Sequence, residues 1–145
     1  PRIVRVLGVD FGEKRIGLAL SDPTGTIATP LETLVRRAGK RVPFGKMESI
    51  GRENKAKHLV VGLPLGLDGN ENEWCATIRD VGERLAARLG VDVAFVDEGM
   101  TSVRAERAIR SIGLSKSALK DKRRIDAAAA QLILQSWLDQ QGTIR

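Results

Sequence analysis

Residues 4–22, VRVLGVDFGEKRIGLALSD, hold two apolar runs separated by a short charged turn. The first run, Ile3 to Val9, is rich in β-branched residues and alternates poorly. It reads as a strand buried on both faces, and it ends in Asp10. The second run, Ile16 to Leu20, follows the turn Glu13, Lys14 and Arg15. A carboxylate at the end of a central strand is costly to desolvate unless a proton or a cation neutralises it. Gly8 and Gly12 flank Asp10 and remove side-chain bulk around it. Two readings follow. Asp10 either opens the turn of an ordinary β-hairpin, where Asp is common, or is placed to meet a cation.

Working outward, Asp22, Pro23, Thr24 and Gly25 mark a turn before a third strand, Ile27 to Leu34. Three strands with tight connections imply an antiparallel meander. A basic loop, RRAGKR (36–41), leads to a helix opened by Pro43 and running to about Lys57, with Phe44, Met47 and Ile50 on one face. His58 to Leu63 is a short buried strand, and Pro64 to Asn72 is a turn-rich loop. Trp74, Ile78, Val81, Leu85 and Leu89 follow at helical spacing, and Gly90 stops that helix. Val91 to Val96 is a further strand, ending in Asp97-Glu98. Thr101 or Ser102 can cap a short helix ending at Gly113. Ser115 or Ser117 can cap a last one reaching about Gln141. The order βββ, αβ, αβ, αα predicts an α/β fold. It is a single mixed sheet, a three-strand antiparallel meander plus parallel strands, flanked by helices in one domain over 1–145.

The chain carries 24 Lys and Arg against 18 Asp and Glu, a net charge of +6, which points to a polyanionic partner. Aromatic residues make up only 3%, with no Tyr, so an aromatic platform for stacking unpaired bases is not expected. A nucleic acid would be held by its backbone. No apolar run is long enough to cross a membrane, no basic-then-apolar leader opens the sequence, and Cys75 is the single cysteine. The expectation is a cytoplasmic protein with no membrane partner. Cys75 and His58 read as packing or structural residues, because neither has a companion at catalytic or ligand spacing, and Trp74 and Trp137 fit helix packing better than base stacking.

Two further acids stand out. Asp97 and Glu98 end a strand, as Asp10 does, and at most one of the two shares its face. Asp126 lies in RRIDAAAAQLIL, where Ala127 to Ala130 would let a helix approach a sheet closely. Lys122 and Arg123 share its side of that helix, so a structural ion pair competes with a functional role for Asp126. Dispersed carboxylates suit hard divalent cations, which can activate water against a phosphodiester. Arg104, Arg107 and Arg110 form a solvated face or a phosphate track.

GVDFGEKRIGLALSD, VVGLPLGLDG, FVDEGMTSVRAE and KRRIDAAAAQLIL, in that order and spanning nearly the whole chain, resemble the YqgF family of precursor 16S ribosomal RNA nucleases. These are relatives of the RuvC Holliday-junction resolvases with the ribonuclease H-like fold. The resemblance implies that Asp10, Glu98 and Asp126 hold Mg²⁺ or Mn²⁺. It also implies that the VGLP loop and Thr101-Ser102 line the same cleft. One position departs from the family, which has Arg after the Asp-Glu pair where this chain has Gly99. A fourth acid one helical turn from Asp126 is absent, because 123 and 129 are Arg123 and Ala129.

The expected activity is a metal-dependent nuclease acting on structured RNA or branched DNA, with a homodimer compatible with it. Catalysis falls to Asp10, Glu98 and Asp126. Lys14, Arg15, Thr101, Ser102, Arg104, Lys120, Lys122, Arg123 and Arg124 are the expected nucleic-acid contacts. A non-catalytic ribosome-assembly or transcription factor is the alternative. An actin-like phosphotransferase is a third reading, disfavoured because its nucleotide needs two such domains.

Overall fold

The computed structural model describes residues 4–36, 41–65, 69–97 and 118–143, with the helical backbone alone for 118–125 and 142–143. Among the described residues, five strands and three helices follow in the order β1 (Arg5–Phe11), β2 (Arg15–Ser21), β3 (Ala28–Val35), α1 (Phe44–Glu53), β4 (Ala56–Leu63), α2 (Glu73–Leu89), β5 (Asp92–Asp97) and α3 (Ala118–Thr143). The strands form one sheet in the order β3-β2-β1-β4-β5. β1, β2 and β3 pair antiparallel, while β4 runs parallel to both β1 and β5. This is the expected mixed sheet, with β1 at its centre.

Strand alternation divides the core in two. Leu7, Val9 and Phe11 of β1, Ile16 and Leu18 of β2, and Leu59, Val61 and Leu63 of β4 pack against α1 and α2. On the other face, Val6, Ala19, Ala28 and Val60 pack against Ala130, Ile133, Leu134 and Leu138 of α3. Burial on both faces explains why the first run lacks polar alternation. α3 comes close because glycines lie beneath it on β1 and β2. A Cβ added at Gly8 would lie 2.8 Å from the Leu134 Cβ, and one added at Gly17 would lie 2.1 Å from the Asp126 carbonyl oxygen. Gln131 and Gln135 fix the helix along β3. Gln131 Nε2 donates to the Ala28 carbonyl at 3.0 Å, and the Ala28 N–H donates to Gln135 Oε1 at 2.9 Å.

Several boundaries differ from expectation, β5 by one residue at each end. α1 ends at Glu53 rather than near Lys57, because the Asn54 side chain donates to the Ile50 carbonyl and Lys55 takes a left-handed φ of 54°. β4 therefore starts at Ala56. β3 starts at Ala28, not Ile27, because Asp22 Oδ1 accepts from the N–H groups of both Thr26 and Ile27 and extends the turn. The helix expected between Thr101 and Gly113 lies outside the described residues. Among the described residues, no helix is long and apolar enough to cross a membrane.

Candidate active site

Asp10 is the penultimate residue of β1, at its carboxyl end, and only 4% exposed. Val6 faces α3, whereas Leu7, Val9 and Phe11 face α1 and α2, so alternation puts Asp10 on the α3 face. Its cross-strand partner is Gly17. Residues paired across antiparallel strands project to the same side, with Cβ atoms about 5 Å apart. The space a Gly17 side chain would fill is taken by the backbone of Asp126. Gly17 thus lets α3 descend beside Asp10, and it brings a second buried carboxylate, Asp126 at 6% exposure, onto the same end of the same face.

Asp126 has a partner on β2. Arg15 Nε donates to Asp126 Oδ2 at 2.7 Å. Asp126 is thus ion-paired with a residue 111 positions away, and the pair expected with its helical neighbours Lys122 and Arg123 falls on side chains outside those described. Lys14, beside Arg15 in the turn, is exposed. The side chains of Lys120, Lys122, Arg123 and Arg124 are not among those described, but α3 carries all four positions. Glu98, Thr101, Ser102 and Arg104 lie outside the described residues. Asp97 shares the strand parity of Val93 and Phe95, which pack on the α1–α2 core, so it faces away from Asp10.

The end of β1 is held from below by groups the sequence did not reveal. Phe11 stacks on Trp74 of α2, with centroids 5.5 Å apart, and the Arg36 guanidinium lies 4.6 Å from the Phe11 centroid. Arg36 Nη1 also donates to the Gly12 carbonyl at 3.0 Å, and its backbone N–H donates to Lys14 O at 2.8 Å. Burial pulls the Arg36 guanidinium pKa below its ordinary value, while the nearby charge of Glu13 opposes that shift. The hairpin between Asp10 and Arg15 is therefore braced on both its backbone and its aromatic side. Trp74 and Trp137 serve packing, as their spacing suggests, and Cys75 is buried. β4 pairs Val61 with Val9, so the VGLP segment (61–64) leaves the sheet beside the Asp10 end of β1.

Asp10 and Asp126 offer hard oxygen donors, screened from water, of the kind Mg²⁺ and Mn²⁺ take. Among the described residues, no group of three or more His, Cys, Asp or Glu side chains is placed to hold a metal ion. The two acids fit a divalent cation as part of a ligand set. A separate cavity of about 700 Å³ lies at the other end of the sheet, lined by Val4, Val6, His58, Asp92, Val93 and Trp137, with Asp92 its single carboxylate among the described residues.

A mixed five-stranded sheet in this order, with a carboxylate ending its central strand and a helix carrying a second, is the ribonuclease H-like architecture. Thermus thermophilus RuvC has it too. Its structure in complex with a Holliday junction substrate aligns over 96% of both chains with a TM-score of 0.60 at 15% identity, and a second RuvC structure aligns over 97% of both at 0.57. The chain belongs to the RuvX family, whose pattern, described as Holliday junction resolvase, matches residues 4–140. A relative from Anaplasma marginale (strain St. Maries) is 44% identical over 135 residues, covering 93% of this chain and 84% of its own length. One from Gloeobacter violaceus (strain ATCC 29082 / PCC 7421) is 40% identical over 138 residues, covering 95% and 85%. Both carry the name "Putative pre-16S rRNA nuclease".

Proposed function

We propose that this chain is a divalent-metal-dependent nuclease that hydrolyses phosphodiester bonds in structured nucleic acid in the cytoplasm. Precursor 16S ribosomal RNA is its substrate, and branched DNA is the second candidate. The observation that carries the reading is the convergence of Asp10 and Asp126, two buried carboxylates that Gly17 allows onto one face at the carboxyl end of the central strand. Asp97 faces the other way, and the family resemblance supplies Glu98 as the third acid. Asp10, Glu98 and Asp126 would hold Mg²⁺ or Mn²⁺, which when bound activates a water and neutralises the leaving oxygen. The chain's own residues fix the geometry. β1 and α3 hold the two acids in place, and the Phe11–Trp74–Arg36 stack stops the Asp10 end of β1 from fraying. Lys14 and Arg15 on the hairpin, Thr101, Ser102 and Arg104, and Lys120, Lys122, Arg123 and Arg124 on α3 hold the phosphate backbone. The net charge of +6 supports that role.

The Arg15–Asp126 ion pair favours a second reading, a non-catalytic nucleic-acid-binding factor in which Asp126 only anchors α3 to β2. One cleavage panel separates the two. Precursor 16S rRNA, single strands and four-way junctions are incubated with the chain in Mg²⁺, Mn²⁺ or EDTA. The nuclease reading expects metal-dependent cleavage of a structured substrate. Binding to the same substrates without cleavage in any metal would favour the second.

A further inference from the structure

Arg15 and Asp126 are largely shielded from water, with side chains 15% and 9% exposed and Nε 2.7 Å from Oδ2. Arg15 is two residues before Gly17 on β2, so alternation places it on the same face as Asp10 and Asp126. The guanidinium therefore supplies positive charge at the point where two buried carboxylates converge, on an oxygen a divalent ion would need. An always-charged, hydrogen-bonding cation is what such a site requires when it holds no metal. A divalent ion and the guanidinium repel at contact distance where water is scarce, so each weakens the other's hold on Asp126 Oδ2.

We propose that Arg15 is a built-in competitor for the metal at Asp126. It neutralises that carboxylate in the metal-free protein, holding α3 on β2, and gives it up when a divalent ion binds, so it sets how much free ion the site needs. The inference rests on the metal reading of Asp126. The opposite arrangement, in which Arg15 orients Asp126 while the ion uses Oδ1 alone, predicts the opposite sign on affinity.

The test is a calorimetric titration of the full chain with Mn²⁺, using wild type, Arg15→Gln, Arg15→Lys and Asp126→Asn, paired with melts in EDTA and in saturating Mn²⁺. Removal of the competing charge should tighten Mn²⁺ binding by Arg15→Gln about tenfold. The same variant should melt below wild type in EDTA, with the gap closing in Mn²⁺. Arg15→Lys, which keeps the charge, should stay close to wild type in affinity. Equal or weaker Mn²⁺ binding by Arg15→Gln overturns the proposal. A measurement on wild type decides the matter even if Arg15→Gln does not fold. The ¹⁵N resonance of Arg15 Nε–Hε should shift as Mg²⁺ saturates the protein, and a resonance that stays in place at saturation overturns the competition. The two readings fail separately. Mn²⁺ binding unchanged in Asp126→Asn removes Asp126 from the metal site altogether. Mn²⁺ binding lost in Asp126→Asn but unchanged in Arg15→Gln removes only the role of Arg15.

Discussion

At the scale of single residues, the site depends on one missing side chain and one charge pair. A Gly17→Ala methyl would lie 2.1 Å from the Asp126 carbonyl oxygen, a backbone atom that cannot swing aside, so α3 must lift from β2. Overpacking of this kind costs about 1–3 kcal/mol. Gly17→Ala should lower stability by at least that much in denaturant titrations, and it should impair cleavage more than its stability loss explains. Asp126→Asn carries a different signature. It leaves the shielded Arg15 guanidinium without its carboxylate, so the unfolding free energy measured in EDTA should fall by about 1–3 kcal/mol. Cleavage by the folded fraction should fall by orders of magnitude. A large loss of stability with near wild-type cleavage would reduce Asp126 to an anchor.

At the scale of elements, the β2–β3 turn makes a pH prediction. Asp22 accepts hydrogen bonds from the N–H groups of Ile27 and Thr26 and from the Thr24 hydroxyl, and these hold its pKa at about 2 against an ordinary 3.8, with the Ile27 bond the largest cause. A depressed carboxylate pKa adds stability above the unfolded value, and that contribution disappears as pH falls through the folded one. The melting-temperature gap between wild type and Asp22→Ala should therefore be constant above about pH 5 and shrink between about pH 4 and pH 2. A gap that does not change with pH would mean the turn bonds contribute nothing through the charge. These elements also show what the sequence makes legible. The meander, the Trp74–Leu89 helix and the close approach of the Ala127–Ala130 stretch follow from periodicity and small residues. The partner of Asp126 does not, because Arg15 is 111 positions away and is indistinguishable in one dimension from a solvated turn residue. The Gln131 and Gln135 bonds to β3, and the Arg36 stack beneath Phe11, are hidden for the same reason. The early end of α1 is set by an Asn54 side-chain bond that competes with helix continuation.

At the scale of the whole molecule, a basic chain poor in aromatics should bind nucleic acid through phosphates. Log affinity should fall linearly with log salt, and Arg123→Ala should flatten that slope by about one unit. Affinity independent of salt would contradict a phosphate-held complex. The central claim is that Asp10, in the middle of the sheet and opposite Gly17, belongs to a metal-dependent active site. The most direct measurement is the initial rate of cleavage of structured precursor 16S rRNA in saturating Mn²⁺ by Asp10→Asn, compared with wild type at equal folded protein. The prediction is a loss of at least about a hundredfold, with RNA affinity retained. A folded Asp10→Asn that cleaves at the wild-type rate would contradict it.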